Sequence, residues 1–173
     1  MEIFLIRHGL AGKADAGKYP DDDLRPLTPK GRKAFKHAAK GFAALGAEPK
    51  LILASPALRA RKTAELLARE LGLGPKAVRD LPELHHAIPP AKSLGKLARM
   101  RLPKSIVLVG HEPWLSEFLS LLICGKAQSH PGKPMAQVEM GKGGACLVVA
   151  PAWKPGLGRL SWLLTQDQLA ALA

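Results

Sequence analysis

The chain has 173 residues, 47% of them apolar and 23% charged, which fits one ordinary globular domain spanning 1–173 and excludes low-complexity and disulfide-dense classes. Lys and Arg number 26 against 14 Asp and Glu, leaving a net charge of +12 that favours anionic partners without choosing among them. A nucleic-acid-binding domain would rest on charge alone, because aromatics are only 5% and no nucleic-acid motif is present.

Ile3 to Ile6 is a continuous apolar run, as expected of a strand covered on both faces, and it exits into Arg7-His8-Gly9. That run is too short for a secretory signal core, and no stretch nears the ~18 apolar residues of a membrane span, so a cytoplasmic protein without membrane contact is expected. A loop from Leu10 to Leu27 follows. Thr28-Pro29 then supplies an N-cap with proline at the first helical position, and Ala34, Ala38, Phe42 and Leu45 recur at helical spacing until Gly46.

Leu51 to Ala54 reads as a second strand, and Ser55-Pro56 repeats the cap-plus-proline signal before a helix over Ala57 to Leu71, ended by Gly72 and Gly74. A strand over Ala77 to Leu81 and a helix over Lys92 to Met100 come next. Ser105 to Val109, "SIVLV", is the strongest strand signal and closes on Gly110-His111. Glu112 to Leu122 reads as a helix, Gln128 to Pro134 as a polar loop, and Val138 to Met140 with Ala145 to Val149 as a hairpin. Leu160 to Leu164 adds a strand, and Thr165 to Gln168 is a capping box for a last helix. Alternating strands and helices predict an α/β sandwich around a largely parallel sheet.

Ligands of such sheets bind beyond the carboxyl ends of the strands, where this chain places Arg7-His8-Gly9, Ser55-Pro56 leading to Arg59, and Gly110-His111. In that order "LIRHG", "SPALRARKTAELL" and "LVGHEPWL" resemble the signature of the histidine phosphatase superfamily. "RPLTPKG", Arg25 to Gly31, and "LPEL", Leu81 to Leu84, are similar to the branch of the SixA-type phosphohistidine phosphatases. The resemblance implies a three-layer α/β/α, phosphoglycerate mutase-like fold. With about twenty residues between Glu83 and "SIVLV", no large lid insertion is expected and the site should be open.

The resemblance also implies the roles. His8 becomes transiently phosphorylated; Arg7, Arg59 and His111 hold the phosphoryl group; Arg25 is a further contact; Glu83 is a candidate acid or water activator. Neighbouring guanidiniums should keep His8 unprotonated, while His111 should be protonated or at least donate a hydrogen bond. Arginines supplying the positive charge would leave no cofactor or metal required. The substrate would be phosphohistidine in a protein or a small phosphate ester, or the chain would bind phosphate without turnover; oligomeric state is not legible.

Other residues read more plainly. No carboxylate and histidine cluster with metal spacing is visible, and Asp21-Asp22-Asp23 is a poor Mg²⁺ site because consecutive loop carboxylates do not converge. His85-His86 reads as a solvated pair, Ser55 as a helix cap, Thr63 as packed, Glu83 otherwise as a partner of Arg79, and Arg61, Lys62, His37 and His130 as surface residues. Cys124 and Cys146, in apolar surroundings, should be reduced and buried.

Overall fold

The computed structural model describes residues 1–126 and 138–173. Its strands are β1 (Glu2–Arg7), β2 (Leu51–Ala54), β3 (Val78–Asp80), β4 (Ser105–Gly110), β5 (Ala145–Val149) and β6 (Arg159–Leu164). They form one six-stranded sheet in the order β3-β2-β4-β1-β5-β6. β3, β2, β4 and β1 pair in parallel, whereas β5 runs antiparallel to both β1 and β6.

The helices are α1 (Pro29–Ala44), α2 (Leu58–Glu70), α3 (Pro90–Leu97), α4 (Trp114–Cys124) and α5 (Gln166–Ala170). Side-chain alternation along the central strands explains why they read as unbroken apolar runs. Phe4 and Ile6, Ile52 and Ala54, and Val107 and Val109 pack with α1, α2 and α5 through Phe35, Phe42, Leu67 and Leu169. Ile3 and Leu5, Leu51 and Leu53, and Ile106 and Leu108 face the other way, against Leu94 and Leu97 of α3 and Trp114, Leu115 and Phe118 of α4. The result is the three-layer sandwich that the resemblance implies, around the largely parallel sheet that the alternation of strands and helices predicts.

Local signals account for several boundaries. Thr28 Oγ1 accepts from the Gly31 amide at 2.9 Å, capping α1, and the Thr165 capping box at α5 is present in full. Gly31 also has a packing role. A Cβ there would lie 2.0 Å from the Leu10 carbonyl oxygen, the same oxygen that accepts from the Thr28 amide at 3.0 Å and the Thr28 hydroxyl at 3.2 Å. The start of α1 is thereby fastened to the loop that follows His8, which gives "LTPKG" a structural reason.

Three local expectations are overturned. Val138 to Met140 is not a strand, and β5 pairs instead with β1 and β6, whose apolar edges it can cover. Ser55 does not cap α2: the helix starts only at Leu58, with Ala57 at its N-cap and no side-chain cap bond. Cys124 is exposed at the end of α4, while Cys146 in β5 is buried and its thiol is pushed up to about 12 by burial. Among the described residues no helix is long and apolar enough to cross a membrane. His37 is exposed as read; Gln128 to Pro134, with His130, lies outside the described residues.

Candidate active site

The strand register delivers the histidines together. Arg7 of β1 stands opposite Gly110 of β4, so His8 and His111 each follow their strand by one residue, and the two rings lie 5.1 Å apart. The Ser55 amide donates to the Val109 carbonyl at 2.9 Å, which brings the end of β2 to the same rim. Arg59, in the first turn of α2, is 4% exposed and points back toward this rim.

These side chains line a cavity of about 300 Å³ with Arg7, Arg25 and Lys142 on its walls. Asp22, His86 and Glu112 complete it. With neutral histidines, four cations against two carboxylates leave the lining at +2. A cavity of about 330 Å³ beneath Arg61, Glu65 and Leu73 is slightly larger, but no histidine or cysteine lines it.

His8 is set up as a nucleophile by a single bond. Its Nδ1 lies 2.7 Å from the Gly9 carbonyl oxygen, which can only accept, so Nδ1 carries the hydrogen and Nε2 carries the lone pair. The turn that makes this bond is held in place by Thr63, whose Oγ1 accepts from the Gly9 amide at 3.1 Å and donates to the Arg59 carbonyl at 2.7 Å. Thr63 is packed, as read from sequence, and it also ties the nucleophile's turn to the helix that bears Arg59.

His8 is pushed down to about 4, first by burial; the Gly9 bond opposes this, and Arg59, Arg7 and Arg25 add to the lowering. The arginines act in the expected direction, but removal from water is the larger cause. His111 is pushed down to about 2, again by burial first and then by His8 and Arg59. It is therefore neutral, not protonated. Its Nε2 lies 2.8 Å from Ser55 Oγ, and that hydroxyl already accepts from the Ala57 amide at 3.4 Å. In the tautomer in which the Ser55 hydroxyl donates to Nε2, the hydrogen of His111 sits on Nδ1.

The buried side-chain atoms without a hydrogen-bond partner are informative. Arg7 Nε, Arg59 Nε and His111 Nδ1 are three of the five such atoms among the described residues, and all belong to residues lining this cavity. Two of them are guanidinium donors, and unpaired buried donors gathered around one space signal an anion that supplies the missing acceptors.

Arg25 joins the site through Asp22. The Asp22 carboxylate accepts from Arg25 Nε at 2.8 Å and Nη2 at 3.2 Å and lies 3.1 Å from Arg59 Nη2, while its backbone carbonyl accepts from Arg59 Nη1 at 2.7 Å. The hydrogen bonds from Arg25, with the charge of Arg59, hold that carboxyl below its ordinary value. Asp22 was not legible as a site residue, because its link to Arg59 spans two distant segments. Lys142 and His86 were missed for the same reason; only the i, i+3 spacing of Asp22 and Arg25 carried a local signal.

Glu83 is placed differently from its neighbours in the sequence reading. It is not among the cavity's lining residues, and its carboxylate lies 3.8 Å from Lys96 Nζ, on α3, instead of pairing with Arg79. Glu112, the carboxylate that does reach the cavity, is occupied: its oxygens accept from the Met140 amide at 2.9 Å and the Ser116 amide at 3.2 Å, with the Ser116 hydroxyl beside them. Arg61 pairs with Asp80 and Glu65, and Lys62 with Glu65, so both are surface ion-pair residues.

A carboxylate and histidine cluster does exist, contrary to expectation, because folding carries Asp23 to His85 and His86; their ligand atoms all lie within 4.8 Å of one another. Its hydrogen bonding suits a relay better than an ion. His85 Nδ1 accepts from the Ala87 amide at 3.2 Å, so Nε2 carries the hydrogen that points to Asp23 Oδ1 at 3.2 Å, and a metal at Nε2 would have to displace it.

The profile of the Histidine phosphatase superfamily (branch 1) matches residues 3–88. This chain belongs to the histidine phosphatase superfamily. An uncharacterized protein of Picosynechococcus is 36% identical over 156 residues, covering 87% of this chain and 90% of that protein.

Among solved structures, the protein histidine phosphatase SixA complexed with tungstate superposes with a TM-score of 0.78 at 24% identity, over 98% of this chain and 99% of the other. SixA from Agrobacterium tumefaciens gives 0.69 at 24% identity, over 95% and 97%. Those likenesses show the shared phosphoglycerate mutase-like fold. Membership in the superfamily makes this histidine phosphatase homologue a hydrolase of the phosphatase class.

Proposed function

We propose that the chain hydrolyses phosphohistidine carried by another protein, through a covalent phosphate on His8 Nε2. Arg7, Arg25, Arg59 and His111 bind the phosphoryl oxygens in this reading, and no metal takes part. The carrying observation is the 2.7 Å bond from His8 Nδ1 to the Gly9 carbonyl, which leaves Nε2 free to attack in a cavity whose unpaired donors await an anion. Attack by Nε2 forms the new P–N bond while the substrate's P–N bond breaks and its electron pair returns to the departing imidazole. The guanidiniums neutralise charge on the equatorial oxygens.

The carboxylates favour this leaving group. An alkoxide needs a proton as it departs, yet Asp22 is held ionised by Arg25, Glu112 is bound by Met140 and Ser116, and Glu83 faces Lys96. An imidazole protonated on its other nitrogen leaves without one. A nucleophile set up in this way also argues against a module that only binds phosphate.

The test is turnover of a phosphohistidine protein and of a chromogenic phosphate ester, both in EDTA, by wild type and His8→Ala. The reading expects preference for the phosphohistidine protein, activity despite chelation, and none in the variant. Turnover that needs Mg²⁺, or an equal rate in His8→Ala, overturns it; a preference for the ester makes the chain a small-molecule phosphatase instead.

A further inference from the structure

The covalent phosphate must be removed by water, and the cavity's carboxylates are all engaged. Four imidazoles run outward from the nucleophile. The ring centroids are 5.1 Å apart from His8 to His111, 5.8 Å from His111 to His86, and 4.1 Å from His86 to His85. The row ends where His85 Nε2 meets the Asp23 carboxylate at 3.1 Å.

His86 differs from the inner two rings in being exposed while still lining the cavity, so it meets both solvent and the phosphoryl site. We propose that His86 is the general base of the second half-reaction, accepting a proton from the water that hydrolyses phospho-His8, with His85 and Asp23 as positioning residues. This rests on the phosphoenzyme reading above.

The step balances without any other reactant. The water oxygen bonds to phosphorus, the P–Nε2 bond of His8 breaks, and its electron pair returns to Nε2. Because Nδ1 keeps its hydrogen on the Gly9 carbonyl, His8 departs neutral and needs no acid. The proton of the water passes to the neutral ring of His86, and from there to solvent.

The groups facing His86 suit that task. Though the ring is exposed, its partial removal from water comes first, then His85 and Arg59, in holding it below the ordinary imidazole value, which favours the basic form at neutral pH. Asp23 and Asp22 act in the opposite sense and stabilise the imidazolium once it forms. His111, neutral on its inner side, does not compete for the proton.

Rapid-quench kinetics on the whole chain separate the two half-reactions. In His86→Gln the ratio of phosphoenzyme formation to hydrolysis rises about 100-fold, so the intermediate accumulates, and the acid limb of the hydrolysis step disappears. Added imidazole restores part of the hydrolysis in His86→Ala. In Asp23→Asn, loss of the carboxylate lowers the affinity of His86 for a proton, and the acid limb moves to lower pH.

Hydrolysis at the wild-type rate in His86→Gln overturns the proposal while leaving the phosphoenzyme intact. So does equal slowing of both half-reactions with weakened phosphate inhibition, which would make His86 an anion contact. Failure of wild type to form any phosphoenzyme overturns the phosphatase mechanism itself.

Discussion

Ser55 Oγ stands 2.8 Å from His111 Nε2, and this contact holds the ring of the second histidine in place at the cavity. Both groups are buried, so neither is satisfied by water when the other is removed. Ser55→Ala should therefore lower stability by about 1–3 kcal/mol, read as a drop in urea midpoint. It should also reduce kcat about tenfold, since an unheld His111 ring loses its fixed orientation toward the phosphoryl group. Ser55→Thr, which keeps the hydroxyl, should retain more activity than the alanine variant.

Thr63 connects the nucleophile's turn to α2. In Thr63→Val the side-chain volume is nearly kept but the Gly9 amide loses its acceptor and the Arg59 carbonyl the second of its donors. The expected cost is about 1–3 kcal/mol from leaving the buried Gly9 amide unsatisfied. Activity of the folded fraction should fall further than that of Thr63→Ser, which preserves both bonds.

Asp22 competes with a phosphoryl group for Arg25 and Arg59. Removing its charge in Asp22→Asn should tighten inhibition by inorganic phosphate or tungstate about fivefold, the order of a single solvent-screened charge at contact distance. Its backbone carbonyl would still hold Arg59 Nη1. Weaker inhibition in the variant would mean that the carboxylate orients the arginines more than it rivals the ligand.

Acid should destabilise the protein through its buried histidines. The unfolded chain protonates them near 6.5, but His8 does so only near 4 and His111 only near 2 in the folded state. Their neutral burial is thus fully tolerated above about 6.5. Stability is lost as pH falls below that value, the His8 part ending near 4 and the His111 part continuing toward 2. Each proton contributes a slope of about 1.4 kcal/mol per pH unit inside its window. Urea denaturation between pH 7 and 4 should show this fall, and His111→Gln should flatten it.

Much of the site was legible because it sits at strand ends. "LIRHG" and "SIVLVGH" announce buried strands by their apolar runs, and just beyond those runs stand Arg7 with His8, and His111. Ser55 misled because Ser-Pro has the same local form whether the serine caps a helix or faces a histidine 56 residues away. Lys142 and His86 reach the cavity through loops and Asp22 through a single 3-10 turn, Asp22–Leu24, none of which carries a periodicity to place it. Glu83 shows the converse: its neighbour His86, not Glu83 itself, turns into the cavity, a choice made by the backbone after the turn at Pro82–Leu84.

The position of the covalent phosphate is the sharpest test. With turnover stopped by rapid quench in EDTA at mildly alkaline pH, and the phosphoenzyme examined by ³¹P NMR and peptide mapping, an acid-labile phosphate should reside on Nε2 of His8 and be absent from His8→Ala. Phosphate on Nδ1, on another residue, or unchanged in the variant would contradict the tautomer fixed by Gly9 and with it the nucleophilic role of His8.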